Sequence, residues 1–92
     1  MIERVHWSLE SLIFLQNVES LHFTEDETSE YRRKLMREIE RKVILLGRSM
    51  PSQEEQHFGT YRVVVGRHKA YYSLDSLGTV AYIESIKHVR MQ

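Results

Sequence analysis

The sequence contains no cysteine, and this absence excludes disulfide bonds, thiolate catalysis and cysteine-based zinc sites. Its four glycines stand far apart as turn residues, so the chain has no glycine-rich phosphate loop. No two His, Asp or Glu residues show a recognised zinc spacing. We therefore expect neither a metal ion nor a cofactor.

Long apolar runs are absent too. No stretch approaches the roughly 18–20 apolar residues that a membrane-spanning helix needs. The N-terminal residues lack the apolar core of a secretory signal peptide. Together with the missing cysteines, which suit a reducing compartment, these features predict a cytoplasmic protein without a membrane partner.

The 92 residues carry no net charge, yet the charges are unevenly placed. Residues 1–30 contain seven carboxylates and one arginine, whereas residues 31–48 contain seven Arg or Lys and two glutamates. Residues 57–92 contain five Arg or Lys and two acidic residues. Such asymmetry permits a basic face on a neutral chain, and it is equally compatible with charged faces that only solvate the fold.

The first half of the chain predicts a short strand and two helices. Residues 2–7 alternate as a strand, and Ser8 can cap a first helix whose apolar spacing ends near Leu21. Thr24 and Glu27 form a capping box that opens a long second helix. Gly47 is placed to end that helix, which carries one apolar stripe made of Tyr31, Leu35, Ile39, Val43 and Leu46.

The second half predicts an antiparallel meander after a polar loop over residues 49–58. Residues 61–65, 69–74 and 79–88 are rich in β-branched and aromatic side chains. Gly66 and the turn residues 75–78 separate them. Short β-rich runs broken by such turns are typical of adjacent antiparallel strands.

The predicted order is therefore β-α-α-β-β-β, an α+β fold in a single domain over residues 1–92. The helical hairpin covers one face of a four-stranded, mostly antiparallel sheet. The first strand is expected at a sheet edge or beside the last strand. The other face of the sheet is expected to be open and lined by polar and aromatic side chains.

The element order and the residues of the sheet resemble the RelE/ParE toxin superfamily of bacterial type II toxin–antitoxin modules. The resemblance covers essentially the whole chain. Members share a meander motif, which here reads Gly59-Thr-Tyr61-Arg62-Val-Val-Val65-Gly66-Arg-His68-Lys69-Ala-Tyr-Tyr72. A last strand ending in Ile-x-His-Arg is also usual, and here it reads Ile86-Lys-His88-Val-Arg90.

The endonuclease branch of the superfamily implies three catalytic positions, which are Arg62, Lys69 and His88. Cations at Arg62 and Lys69 would hold the scissile phosphate and stabilise its developing charge. His88 would transfer a proton near neutral pH. Such cleavage needs no metal, because the 2′-hydroxyl of RNA is the nucleophile. We expect all three side chains on the solvent face of the sheet, where Val64 replaces a second basic residue.

Five further residues are candidates for substrate binding. Tyr72 is expected to stack on an RNA base from the exposed face. The other four are Arg67, His68, Lys87 and Arg90.

The resemblance leaves three functions open. The chain is a ribosome-dependent mRNA endonuclease acting in the A site, a non-enzymatic poison of DNA gyrase acting through its helical hairpin and C-terminus, or a degenerate member that retains only antitoxin binding. The basic pair with His88 favours the first, and the zero net charge favours the other two. In each case the implied partner is a small cognate antitoxin that wraps around the helical hairpin and the open face. The endonuclease would add mRNA and the ribosome as partners, and the poison would add gyrase.

Overall fold

The computed structural model of the chain describes residues 1–18, 24–53 and 59–89. In order, the elements are β1 (Arg4–Trp7), α1 (Leu9–Gln16), α2 (Glu25–Leu46), β2 (Tyr61–Val65), β3 (His68–Leu74) and β4 (Val80–His88). This is the predicted β-α-α-β-β-β order. The predicted α+β fold class is therefore confirmed.

Local sequence signals explain where the helices begin and end. The Ser8 hydroxyl accepts the backbone N–H of Ser11 at the start of α1. The predicted capping box of α2 is formed, with Thr24 accepting from the amide of Glu27 while the Glu27 carboxylate accepts from the amide of Thr24. Gly47 follows α2 with a φ of 51°, the left-handed region that glycine adopts without strain.

Helix α1 is shorter than its apolar pattern predicts. It ends at Gln16 with Asn17 as its C-cap, and not near Leu21. The prediction was wrong because the apolar residues of this segment occur on every side of the helix, so their spacing does not mark its end. Leu21 itself lies outside the described residues.

The four strands form one sheet in the order β1-β4-β3-β2. β2, β3 and β4 are consecutive antiparallel neighbours, while β1 pairs in parallel with β4. The first strand is thus both at an edge and beside the last strand, as predicted. At the other edge, the amide of Arg62 donates to the Met50 carbonyl and the amide of Ser52 donates to Thr60, at 2.8 and 2.9 Å. The segment around Pro51 therefore shields β2 from edge-to-edge pairing.

Both helices pack on the same face of the sheet. The buried core has residues from both helices, from the sheet and from the N-terminal segment. These are Leu15 of α1; Leu35, Ile39 and Val43 of α2; Val63, Ala70, Tyr72, Ala81, Ile83 and Ile86 of the sheet; and Ile2 before β1. The Nε1–H of Trp7 donates to the Glu40 carboxylate at 2.7 Å, which ties β1 to α2. Side chains alternate across each strand, so the residues between these core positions point to the opposite face, called the open face below. Among the described residues, neither helix combines the length and the hydropathy needed to cross a bilayer.

Candidate nucleic-acid interface

The open face carries a cluster of three cations, Arg62, Lys69 and Lys87. Lys69 lies directly opposite Lys87 across the β3–β4 pair. On its other side Lys69 pairs with Val64, two residues along β2 from Arg62. Directly opposed residues have Cβ atoms about 5 Å apart and diagonal neighbours about 7 Å apart, so Lys69 lies between the other two cations.

Tyr71 packs among these three cations. It is opposite Arg62 on β2, and the Lys87 ammonium lies 5.7 Å from its ring centroid. Tyr71 is fully buried although it is not part of the contiguous hydrophobic core. An aromatic face close to an ammonium attracts the cation. The cluster therefore has a rigid base instead of lying on a bare strand surface.

A β-bulge in β4 decides which side chains reach this cluster. Tyr71 pairs with Ser85, but its neighbour Tyr72 pairs with Ile83, so two residues of β4, Glu84 and Ser85, occupy the space of one. An extra residue inverts the alternation of side chains beyond it. As a result Lys87 faces the open side.

The expectation that His88 joins Arg62 and Lys69 is wrong for the same reason. His88 pairs with His68, and their rings meet edge to face with centroids 5.4 Å apart. The His68 ring also packs against Phe14 of α1, with the two ring centroids 5.9 Å apart. Both histidines therefore lie on the helix-covered face. His88 is solvent-exposed at the end of its strand, but the sheet separates it from the cations of the open face.

His68 is not placed to contact RNA, contrary to expectation. It begins β3 and is buried beneath α1, and within the described part of the chain its Nδ1 atom has no hydrogen-bond partner. Burial lowers the pKa of His68, and the neighbouring His88 lowers it further. Because its ring is almost completely buried, His68 is not accessible to a phosphate group.

Tyr72 is likewise not a stacking platform on the exposed face. It is fully buried, its ring packs 5.6 Å from that of Tyr61, and its hydroxyl donates to the carbonyl of Gly47. Two adjacent tyrosines must face opposite sides of a strand, and the sequence does not tell which of them faces inward. Of these two tyrosines, Tyr71 faces the open side.

Of the remaining candidates, Arg67 is exposed in the β2–β3 turn, where its carbonyl accepts the amide of Val89 at 2.6 Å. Gly66, with a φ of 58°, makes this two-residue turn possible. Arg90 lies outside the described residues. In the described part of the chain, no three His, Asp or Glu residues converge as metal ligands.

Sequence reasoning missed three open-face residues at the β1 side of the sheet, His6, Tyr82 and Glu84. The rings of His6 and Tyr82 stack with centroids 5.6 Å apart and an interplanar angle of 18°. The Glu84 carboxylate accepts the Ser73 hydroxyl at 3.3 Å. Spacing within β4 could have placed Tyr82 on a face, but only the pairing with β1 brings His6 beside it.

No protein-family model matches the sequence, and no curated protein matches it. Solved structures do. The toxin–antitoxin complex RelBE2 from Mycobacterium tuberculosis contains a chain that matches with a TM-score of 0.65 at 15% identity, over 96% of this chain and 99% of that one. This chain has the fold of the RelE toxins. The isolated RelE toxin of E. coli agrees, with a TM-score of 0.63 at 11% identity over 98% of this chain and 87% of that one.

The predicted resemblance is thereby confirmed at the level of the fold. Within the RelE-like fold, the three open-face cations belong to three different strands, β2, β3 and β4. Such a convergence of positive charge on a sheet face is a geometry that suits a phosphate group.

Proposed function

We propose that this chain is the toxin of a type II toxin–antitoxin module and that it acts in the cytoplasm as a ribosome-dependent mRNA endonuclease. The observation that carries the proposal is the convergence of Arg62, Lys69 and Lys87 around the buried Tyr71 on the open face of a RelE-like fold. The three cations hold the scissile phosphate of an RNA strand that lies across the sheet.

The reaction needs no group that the protein lacks. The 2′-oxygen of the RNA attacks the adjacent phosphorus, the bond to the 5′-oxygen breaks, and a 2′,3′-cyclic phosphate and a 5′-hydroxyl result. Negative charge grows on the phosphoryl oxygens in the transition state, where fixed cations are most effective. The 2′-hydroxyl proton passes to water, and an ammonium group of the cluster donates a proton to the departing 5′-oxygen.

A cognate antitoxin is the implied protein partner. The RelBE2 structure is a toxin–antitoxin complex. In this chain, α1 exposes an apolar stripe made of Leu9, Leu12 and Ile13, with Leu9 74% exposed. Exposed apolar side chains at helical spacing suit a segment that folds on binding and covers the surface. We propose that the antitoxin covers this stripe and reaches the open face.

Poisoning of DNA gyrase is the second candidate function. The same apolar stripe on α1 and the zero net charge favour it, because charged residues are depleted at the core of a protein–protein interface. In this case the cations of the open face would not take part in chemistry.

Expression in bacterial cells separates the two. Primer extension on cellular mRNA is expected to show discrete cuts within codons, and Lys69→Ala is expected to reduce cutting by about 10²–10³-fold, as loss of one transition-state contact does. Toxicity with intact mRNA and gyrase-dependent DNA breaks would overturn the endonuclease in favour of the poison. If the chain co-purifies with the product of a neighbouring gene but causes neither mRNA cuts nor DNA breaks, antitoxin binding would be the retained function.

A further inference from the structure

A second group of side chains lies on the open face, away from the cation cluster. His6 and Tyr82 are register partners across the parallel β1–β4 pair, and their rings stack nearly in parallel. Tyr82 keeps 44% of its surface exposed and His6 is also exposed, so the pair is not core packing. An exposed aromatic ring on a sheet face is a surface on which a nucleic-acid base stacks.

Glu84 lies between this aromatic pair and the cations. The β-bulge places it on the open face, two residues from Tyr82 and three from Lys87. Its Oε1 atom accepts the Ser73 hydroxyl, which orients the carboxylate on an exposed surface. A carboxylate repels phosphate but accepts hydrogen bonds from the amino groups of bases, as Asp and Glu do from cytosine N4. This position therefore suits a base and not the RNA backbone.

We propose that Tyr82, His6 and Glu84 form a base-binding subsite for single-stranded RNA, one that prefers bases with an amino group over uracil. The inference rests on the proposed function, because it takes the strand to be held at the cation cluster. Tyr82 supplies the stacking surface, His6 supports the ring from the neighbouring strand, and Glu84 accepts from the amino group of adenine, cytosine or guanine. Uracil would place a carbonyl oxygen toward Glu84 instead.

The spacing of the two sites fits one continuous strand. Lys87 and Tyr82 are five residues apart on β4, with the extra residue of the bulge between them. A strand rises about 3.3 Å per residue, so they are separated by about 13–16 Å. The base at Tyr82 thus belongs to a nucleotide near the scissile phosphate but not to the nucleotide that carries it. The subsite would set the sequence preference of cleavage without touching the reacting atoms.

Binding of short RNA hexamers tests the subsite. Fluorescence anisotropy with labelled oligo(A), oligo(C) and oligo(U), each 2′-O-methylated to prevent cleavage, gives the affinities. The wild-type chain is expected to bind oligo(A) and oligo(C) more tightly than oligo(U). Tyr82→Ala is expected to weaken oligo(A) binding at least about fivefold, because the stacking of one base on an aromatic side chain contributes about that much to the affinity. Tyr82→Phe, which keeps the ring, is expected to retain the affinity.

Glu84→Gln tests the preference separately from the affinity. The glutamine still accepts from Ser73, but its amide also donates to a uracil carbonyl, so the difference between oligo(A) and oligo(U) is expected to shrink. The matched control for Tyr82→Ala is Tyr31→Ala, because Tyr31 is exposed to a similar degree (38%) but lies on α2, away from the open face. It is expected to change neither affinity nor preference, and circular dichroism verifies the folding of each variant.

Two results would overturn the inference, and they differ. If Lys69→Ala weakens RNA binding while Tyr82→Ala and Glu84→Gln change nothing, the subsite is wrong and the cation cluster stands. If the wild-type chain binds none of the oligonucleotides, the subsite is wrong as proposed, and primer extension in cells decides the ribosome-dependent cleavage separately.

Discussion

The hydroxyl group of Tyr72 joins the sheet to the end of the long helix. It donates to the carbonyl of Gly47, the residue that ends α2, and the ring around it is fully buried. Burial, and to a lesser degree the neighbouring Tyr61, raise the pKa of Tyr72 from 10.0 to about 12. We expect this contact to hold α2 in place over β3.

Replacing Tyr72 with phenylalanine keeps the buried ring and removes only the donor. A hydrogen bond contributes about 0.5–1.5 kcal/mol, and a carbonyl left unpaired adds to the loss. Gly47 is only half-buried, so water can reach its carbonyl. The destabilisation from leaving that carbonyl unpaired is therefore small. Tyr72→Phe is therefore expected to lower the free energy of unfolding by about 1–2 kcal/mol. For a domain of this size, each kcal/mol lost lowers Tm by about 4–8 °C. Urea unfolding followed by circular dichroism measures the loss.

The pH dependence of stability gives an independent check. A phenol whose pKa is raised on folding adds stability that is complete below the unfolded pKa of about 10 and is lost as pH rises through about 12. The stability difference between wild type and Tyr72→Phe should thus narrow above about pH 10. Tyr82→Phe, which removes an exposed hydroxyl, is the control and should cost less than about 0.5 kcal/mol. Equal stability of Tyr72→Phe and wild type, with all five tyrosines ionising together near pH 10, would refute the reasoning.

Two further predictions concern other links between elements. Trp7→Phe removes the donor to the Glu40 carboxylate and is expected to lower the free energy of unfolding by about 1–2 kcal/mol, measured by urea unfolding; an unchanged midpoint would contradict a structural role for this bond. Asp75 accepts backbone N–H groups of Val80 and Thr79 in the β3–β4 turn, and chiefly the bond from Val80 lowers its pKa. The Asp75 carboxylate stabilises the fold above its unfolded pKa of about 4, and this contribution is lost as pH falls through the lower folded pKa. Asp75→Asn should therefore destabilise the chain at neutral pH but not in acid. Parallel stability curves for the two chains from neutral to acid pH would count against this.

The parts of the fold that depend on local signals could be predicted from the sequence. The capping box at Thr24, the glycine after α2 and the turn at Gly66 act within a few residues, so their pattern is visible in the chain. Three apolar residues of the predicted α2 stripe are buried as expected, because a helix of this length repeats its period many times. The order of elements follows from these signals.

The composition of the candidate site could not be predicted in the same way. Which of Tyr71 and Tyr72 faces inward depends on packing with α2, and which of Lys87 and His88 reaches the open face depends on the bulge at Glu84. A bulge exists only through the pairing of two strands, and it inverts every position beyond it. The family resemblance placed His88 on the open face, and the bulge turns it to the other face.

The most direct test of the account compares Lys87→Ala with His88→Ala. The two residues are neighbours at the end of β4, but only Lys87 lies on the open face with Lys69 and Tyr71. In cells that express each variant, with folding verified by circular dichroism, we expect Lys87→Ala to reduce mRNA cleavage by about 10²–10³-fold and to relieve toxicity. His88→Ala should cleave and arrest growth as the wild type does. The opposite pattern, with His88 essential and Lys87 dispensable, would contradict an RNA-cleaving site on the open face.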